Sequence, residues 1–321
     1  MGWAAAGGLA GRMQNTNPSH TVPGSVLVLG ATGKTGRRVV RTLRAAGVGV
    51  RAASRSGEVR FDWTEPATWA GAVAGASAVY LIAPDEGYDA VPRFVARAAA
   101  AGVRRFVALS GRGIEHVGAD FGQGMAVAEE AVRASGAEWA VVRANNFFQN
   151  FDEDLWRQPL REGRLALPIG DVPEPFIDAD DVAEVAALLL TRPRSEHADG
   201  VYEISGARAL TFREAVAVMA RAAGREIAFV ELTPEEYHAE LLASGCPEPA
   251  ARALGALFAL HREGRTSAPV PGVETLLGRA PSDFTTYARK AAAQGAWTPT
   301  VAAGAVRADA RPGTAGQAVA G

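Results

Sequence analysis

The stretch Ser25-Val26-Leu27-Val28-Leu29-Gly30-Ala31-Thr32-Gly33-Lys34-Thr35-Gly36 decides the fold. Val26 to Leu29 is a continuous apolar run ended by glycine, the pattern of a strand buried on both faces. The glycines that follow are spaced GxxGxxG. Between a strand and a helix each one is needed. Gly30 permits the tight turn, Gly33 lets the backbone approach a pyrophosphate, and Gly36 lets the helix pack close to the strand. The helix predicted over 35–46 carries Val39, Val40 and Leu43 on one face and Arg37, Arg38, Arg41 and Arg44 on the other, and Gly47 closes it. Its N-terminus presents free N–H groups and a partial positive charge to phosphates. Thr32, Lys34 and Thr35 join the three glycines as candidate cofactor contacts. A glycine-rich turn without a ligand is the alternative, and the strand–turn–helix setting disfavours it.

Outward from this loop, strands and helices alternate. Strands are predicted at 48–54, 59–63, 78–84, 104–110 and 138–144, and helices at 66–75, 89–101 and 125–135. Such alternation argues for an α/β fold, a Rossmann-type doubly wound parallel sheet covered on both faces. After Asn150 the texture changes. Helices are predicted at 155–163, 179–190, 234–263 and 284–294. Asp178 is a candidate N-cap, and Thr211 with Glu214 forms a capping box opening a helix to Ala223. LALPIG, EPFID, VYEISG and EIAFVEL read as short strands. The expected organisation is a disordered leader at 1–24, a dinucleotide-binding core at 25–150, a smaller mixed C-terminal substrate region at 151–298 that completes the sheet and covers a cleft, and a disordered tail at 299–321.

Composition narrows the class. The chain has 321 residues, 48% of them hydrophobic and 21% charged, which excludes a disordered or collagen-like chain. With 33 Lys and Arg against 35 Asp and Glu, there is no electrostatic case for nucleic acid or an anionic membrane. No apolar run approaches the roughly 20 residues of a membrane span. Cys246 is the only cysteine, so no intrachain disulfide forms, and a reducing, cytoplasmic setting is expected. The five histidines show no metal-ligand spacing, and no metal is expected.

The second strand specifies the cofactor. An acid at its end would bind the ribose hydroxyls of NAD. Here the segment is Arg51-Ala52-Ala53-Ser54-Arg55-Ser56, without an acid. Arg55 stands where an arginine accommodates a 2′-phosphate, with Ser54 beside it, so NADPH is expected; a solvated surface arginine is the alternative. Asp62, just after the third strand, either accepts from the adenine amino group or caps a turn. Ala83 and Pro84, at the carboxyl edge of the fourth strand, either line the nicotinamide ribose or simply end the strand.

VLVLGATGKTGRRVV, AVYLIAP, RRFVALS, VVRANNFFQNF and EPFIDADDVAEVA together resemble the NmrA-like family of atypical short-chain dehydrogenases, over about residues 26–297. LSGRGIEH, YEISGARALTF, VELTPEEYHAEL and DFTTYARKAAAQGAW make the chain similar to bacterial relatives of festuclavine dehydrogenase of ergot alkaloid biosynthesis. The resemblance implies a Rossmann fold, bound NAD(P)H and a substrate cleft. It places Ser110 at the family's serine position and the loop after the sixth strand beside the nicotinamide. Asn145 is thereby a candidate cofactor contact, and Met125, Phe147, Phe148 and Phe176 are candidates for a substrate pocket. Core packing is the alternative for the phenylalanines, and turn formation for Asn145.

Typical short-chain dehydrogenases protonate the nascent alkoxide with a Tyr-x-x-x-Lys pair. The corresponding helix here begins Met125-Ala126-Val127-Ala128-Glu129-Glu130 and has neither residue. Both glutamates are expected at the surface. An iminium ion needs no proton after hydride addition, and a quinone takes its protons readily from solvent; a simple ketone is harder. The leading expectation is therefore an NADPH-dependent reductase of a small imine or iminium intermediate in specialised metabolism. A quinone oxidoreductase and a non-catalytic NADP-sensing regulator are the alternatives. The expected partner is a small-molecule substrate, and a homodimer is compatible with the sequence.

Overall fold

The computed structural model describes residues 24–118, 120–193 and 199–299. The leader, except Gly24, and the tail, except its first residue, lie outside these. Seven parallel strands form one sheet. They are β1 (Ser25–Leu29), β2 (Val50–Ser54), β3 (Val59–Arg60), β4 (Ala76–Leu81), β5 (Arg105–Gly111), β6 (Glu138–Ala144) and β8 (Gly200–Ile204), in the order β3-β2-β1-β4-β5-β6-β8. Residues 26–29 of β1 pair in register with 50–53 of β2, and residues 26–28 with 78–80 of β4. The chain thus leaves β1 in one direction and returns on its other side. In such sheets the crevice at the carboxyl ends, where the order reverses, is the ligand site.

The period of two in β1 sorts its side chains onto two cores. Val26 and Val28 face a core shared with α1 (Gly36–Ala45) and α6 (Ala179–Thr191). Leu27 and Leu29 face another, covered by α2 (Ala67–Val73), α3 (Ala90–Ala100) and α4 (Gln123–Arg133). This two-sided burial is what the unbroken apolar runs of the strands required.

Gly36 has to be glycine. A Cβ there would lie 2.1 Å from the Gly30 carbonyl oxygen, and Gly30 itself turns the chain at a φ of +62°. The helix is therefore drawn onto the strand end as the spacing predicted. Arg38 departs from expectation. It is buried rather than solvated, and it clamps α1 to the later chain through Glu153 at 2.6 Å and Asp180 at 2.9 Å.

The remaining helices are α5 (Arg157–Glu162), α7 (Phe212–Ala223), α8 (Pro234–Ala243), α9 (Glu248–Arg262), α10 (Gly272–Leu277) and α11 (Phe284–Ala293). Asp178 caps α6, and Thr211 with Glu214 forms the expected capping box on α7. The single helix expected over 234–263 is two, broken where Gly245 takes a left-handed φ before Pro247. The EIAFVEL strand is β9 (Ala228–Glu231), which pairs with β7 (Arg164–Leu167) in a separate two-stranded sheet. EPFID is not a strand. It makes only isolated bridges, Phe147 to Ile177 and Glu174 to Leu210, because its neighbours are loops.

A third core joins these late elements. Phe151 lies 5.2 Å from Phe176, Phe176 lies 4.9 Å from Phe212, and Phe148 lies 5.1 Å from Phe284, each near edge-to-face. Such pairs are worth about 0.5–1.5 kcal/mol beyond area burial. Among the described residues no helix is long and apolar enough to cross a membrane.

Candidate active site

The carboxyl ends of β5 and β6 open into a cleft of about 240 Å³. Its floor is Leu109, Ser110, Gly111 and Ala144; Met125 and Phe147 line its side. Leu257, Leu260 and His261 of α9, with Thr266, close it from the C-terminal region, and Lys34 of the glycine loop stands at its edge. The walls are mainly apolar, with polar groups at few points, which is how small-molecule sites are built.

Of the residues singled out in the sequence, Ser110, Met125, Asn145, Phe147 and Lys34 meet in this one cleft. Phe148 and Phe176 do not. Each is 1% exposed and belongs to the aromatic core, so the expected pocket role is corrected to packing. Ala83 and Pro84 are half-buried just after β4, with Gly124 of α4 against the Pro84 carbonyl. Thr32 and Gly33 are exposed on the glycine loop, while Thr35 is buried beneath it. Lys34 Nζ bonds to Asn150 and, at 2.8 Å, to Asp154, and lies 5.7 Å from the centroid of the Phe147 ring. The loop is thus fastened to the segment that follows β6.

Ser110 is buried, and its hydroxyl donates to Glu129 Oε1 at 2.7 Å. Glu129 is not the surface residue expected: it is 2% exposed. Arg143 donates to both of its oxygens at 2.9 Å, and Arg133 to Oε2 at 2.7 Å. Burial alone would raise its pKa, but the Arg143 and Ser110 hydrogen bonds and the Arg143 charge outweigh it and hold the carboxyl below its ordinary range. Glu130 is exposed as expected. Because Ser110 donates its proton away from the cleft, its oxygen faces a ligand as an acceptor.

A second polar cluster went unforeseen. Glu174 is 1% exposed. Its Oε1 accepts from Asn145 Nδ2 and from the Asn146 backbone, both at 2.9 Å, and its Oε2 lies 3.2 Å from His261 Nδ1. Asn146 Nδ2 contacts the other ring nitrogen, Nε2. Asn145 is engaged at both ends, since Arg112 donates to its Oδ1 at 2.8 Å and its second amide hydrogen reaches the Thr266 carbonyl. Asn145 therefore forms a fixed part of the wall. A sequence signal existed for His261: Ala251, Leu254 and Phe258 precede it at the spacing of one helix face, so it shares their buried stripe. Glu174 had none, as its partners come from β6 and α9.

At the carboxyl end of β2, Arg55 is exposed, and Ser54 Oγ is buried without a hydrogen-bond partner. An orphaned hydroxyl beside an arginine, with no acid from 51 to 56, fits a ribose phosphate; the bare backbone at Gly33 before α1 fits a diphosphate. Asp62 caps a turn, its Oδ1 accepting from the Thr64 backbone at 2.9 Å and hydroxyl at 2.8 Å. Those two bonds, the backbone one first, hold its pKa below the usual range.

The model of the NmrA-like family matches residues 23–288. An NAD(P)H azoreductase of Xenophilus azovorans is 31% identical over 84% of this chain and 98% of its own length. Festuclavine synthase I of Penicillium roqueforti is 31% identical over 82% of this chain and 97% of its own. The solved triphenylmethane reductase of a Citrobacter species, complexed with NADP(H), superposes with a TM-score of 0.68 at 21% identity, over 84% of this chain and 99% of its own, a likeness of fold. With a family model spanning both the glycine loop and the cleft, the chain belongs to the NmrA-like family.

Proposed function

We propose that the chain is an NADPH-dependent oxidoreductase that reduces a small, largely apolar electrophile, foremost an imine or iminium ion. The carrying observation is the Ser110 hydroxyl, which donates to Glu129 and so offers the cleft only lone pairs. Such an oxygen suits an acceptor that arrives positively charged with an N–H to donate. It cannot protonate an alkoxide, and α4 supplies neither Tyr nor Lys. NADPH would be held by Gly30, Gly33 and Gly36, the first turn of α1, and Ser54 with Arg55. When bound it supplies hydride. The chain's own residues then orient the acceptor on Ser110, exclude water with Met125, Phe147 and the α9 leucines, and keep the carboxylates of Glu129 and Glu174 tied to partners.

The names of the azoreductase and the festuclavine synthase support a reductase over a cofactor-binding regulator. A quinone is the second reading, since a planar neutral acceptor suits the same apolar walls. The test is NADPH consumption over a panel of cyclic imines, N-alkyl iminium ions and quinones. Turnover strongest with imines or iminium ions supports the first reading. Turnover confined to quinones replaces it with the second, and cofactor binding without turnover on any of them overturns both.

A further inference from the structure

The cleft holds a histidine that the hydride chemistry above does not use. His261 lines the cleft from α9 and is 8% exposed. Its Nδ1 lies 3.2 Å from Glu174 Oε2, a buried oxygen that no hydrogen bond satisfies. Its Nε2 is in contact with Asn146 Nδ2, a donor. That contact requires a lone pair on Nε2, so the ring proton sits on Nδ1, the nitrogen beside Glu174. A buried carboxylate that fixes the tautomer and orientation of an imidazole is the arrangement by which histidines are set for proton transfer. Phe212 and Phe258, with ring centroids 6.2 and 6.5 Å away, hold the ring in an apolar slot.

We propose that His261 is the proton donor of this cleft, in place of the absent tyrosine, and that Glu174 is its positioning residue. The inference rests on the reductase reading and extends it to neutral acceptors, meaning unprotonated imines and quinones. In the imidazolium form Nε2 carries the second proton, and the Asn146 amide, turned over, presents its oxygen to it. The acceptor's nitrogen or oxygen displaces that amide, which on turning over gives up the contacts its nitrogen makes to Glu174 and its oxygen to Asn150. As the hydride of the bound dihydronicotinamide enters the acceptor carbon, the Nε2–H bond breaks and an N–H or O–H bond forms on the acceptor. The acceptor is reduced by two electrons, the nicotinamide is oxidised, and the imidazole is left neutral with Nδ1–H beside Glu174. Solvent returns the proton. The charged groups around this unit are Glu174, Arg112 on the neighbouring Asn145 and Thr266, and Lys34 at the cleft edge. The carboxylate offsets the two cations beside a positively charged ring.

The experiment compares two acceptors in the full chain. One is a neutral cyclic imine; the other is its N-methyl iminium salt, which needs no proton. His261→Gln should lower kcat on the neutral imine by about 10²-fold or more, the usual cost of a lost general acid, and cost at least tenfold less on the salt. Glu174→Gln should show the same pattern more weakly. Equal losses on both acceptors, or no loss on the neutral one, overturn the proposal. Nitrogen-15 NMR of the cofactor-free chain adds a readout without turnover. The His261 signal, assigned by its loss in His261→Gln, should report Nδ1 protonated in the neutral ring; an Nε2-protonated ring overturns the arrangement. A wild type that binds NADPH but reduces neither acceptor nor any quinone refutes the reductase reading itself, and the proton donor with it.

Discussion

Replacing Glu129 by glutamine keeps the shape of the side chain and removes its charge. Both carboxylate oxygens accept: Oε1 from Ser110 and Arg143 Nε, Oε2 from Arg143 Nη2 and Arg133. A glutamine has one oxygen, so its nitrogen must face donors on one side. Breaking a buried ion pair by removing one partner costs about 3–5 kcal/mol. Arg143 keeps Glu115 at 2.7 Å, and that glutamate is half-exposed, so the expected loss is nearer ~2–3 kcal/mol at neutral pH. The pH dependence follows from the lowered carboxyl pKa. The group binds fewer protons folded than unfolded, so its stabilisation is fully present above the unfolded value of about 4.3 and is lost as pH falls through the folded value. Urea denaturation of wild type and Glu129→Gln should therefore differ by ~2–3 kcal/mol at pH ~7, with the gap closing as pH falls below about 4. Coincident midpoints at neutral pH, or a gap unchanged in acid, would refute the assignment of Glu129 as a buried structural anchor.

Arg55→Asp should erase the preference for NADPH over NADH, measured as the ratio of Kd values; an unchanged ratio would mean that Arg55 does not meet the 2′-phosphate. Gly33→Val should abolish cofactor binding in a chain with a normal circular dichroism spectrum. A Cβ there lies 3.2 Å from the Gly30 carbonyl, so the loop yields by tenths of an ångström while the exposed side chain fills the diphosphate space. Asp152 accepts from the Tyr287 hydroxyl at 2.7 Å, and burial pushes its pKa up to about 6. Its folded value exceeds its unfolded one, so wild-type stability falls as pH rises from about 4 through about 6. Asp152→Asn should thus be more stable than wild type by about 1–2 kcal/mol at neutral pH and no more stable at pH ~4, read as melting temperatures. Ser110→Ala should slow reduction of a charged iminium by about ten- to a hundredfold, since a hydrogen bond to a charged group is worth about 1.5–3 kcal/mol; a far larger loss would make Ser110 more than a positioning group.

What could be read from the sequence was local. The strand, turn and glycine spacing of residues 25–36 map directly onto backbone geometry, because Gly36 touches Gly30 within one turn of chain. Ser110 was legible through the family resemblance, which sets a serine at the end of the fifth strand. Capping by Asp178 and Thr211 was legible because a cap bonds two or three residues away. Glu129 was not: as one of two adjacent glutamates it looked solvated, and only β6 brings Arg143 against it. The phenylalanines were ambiguous for a related reason. Phe147 and Phe148 are neighbours in sequence, yet the chain turns between them, so one ring faces the cleft and the other the aromatic core. The Glu174–His261 contact joins residues 87 apart and leaves no local mark.

The two polar clusters also explain why the missing tyrosine is tolerated by the architecture. The helix that would carry it, α4, instead carries Glu129, whose carboxylate binds Ser110 of β5, Arg143 of β6 and Arg133 of α4 itself. That wall is committed to holding the sheet edge, and its anionic centre would raise the cost of a phenolate placed beside Ser110. Proton chemistry is free to sit on the other wall, where α9 and the segment around Glu174 meet the cleft from outside the sheet. A group there can vary without disturbing the parallel strands, because its supports are side chains of Asn145, Asn146 and Glu174 rather than the ladder. The glycine loop and sheet edge would then set the cofactor, and the residues arriving from the C-terminal region would decide which acceptors receive a proton along with the hydride.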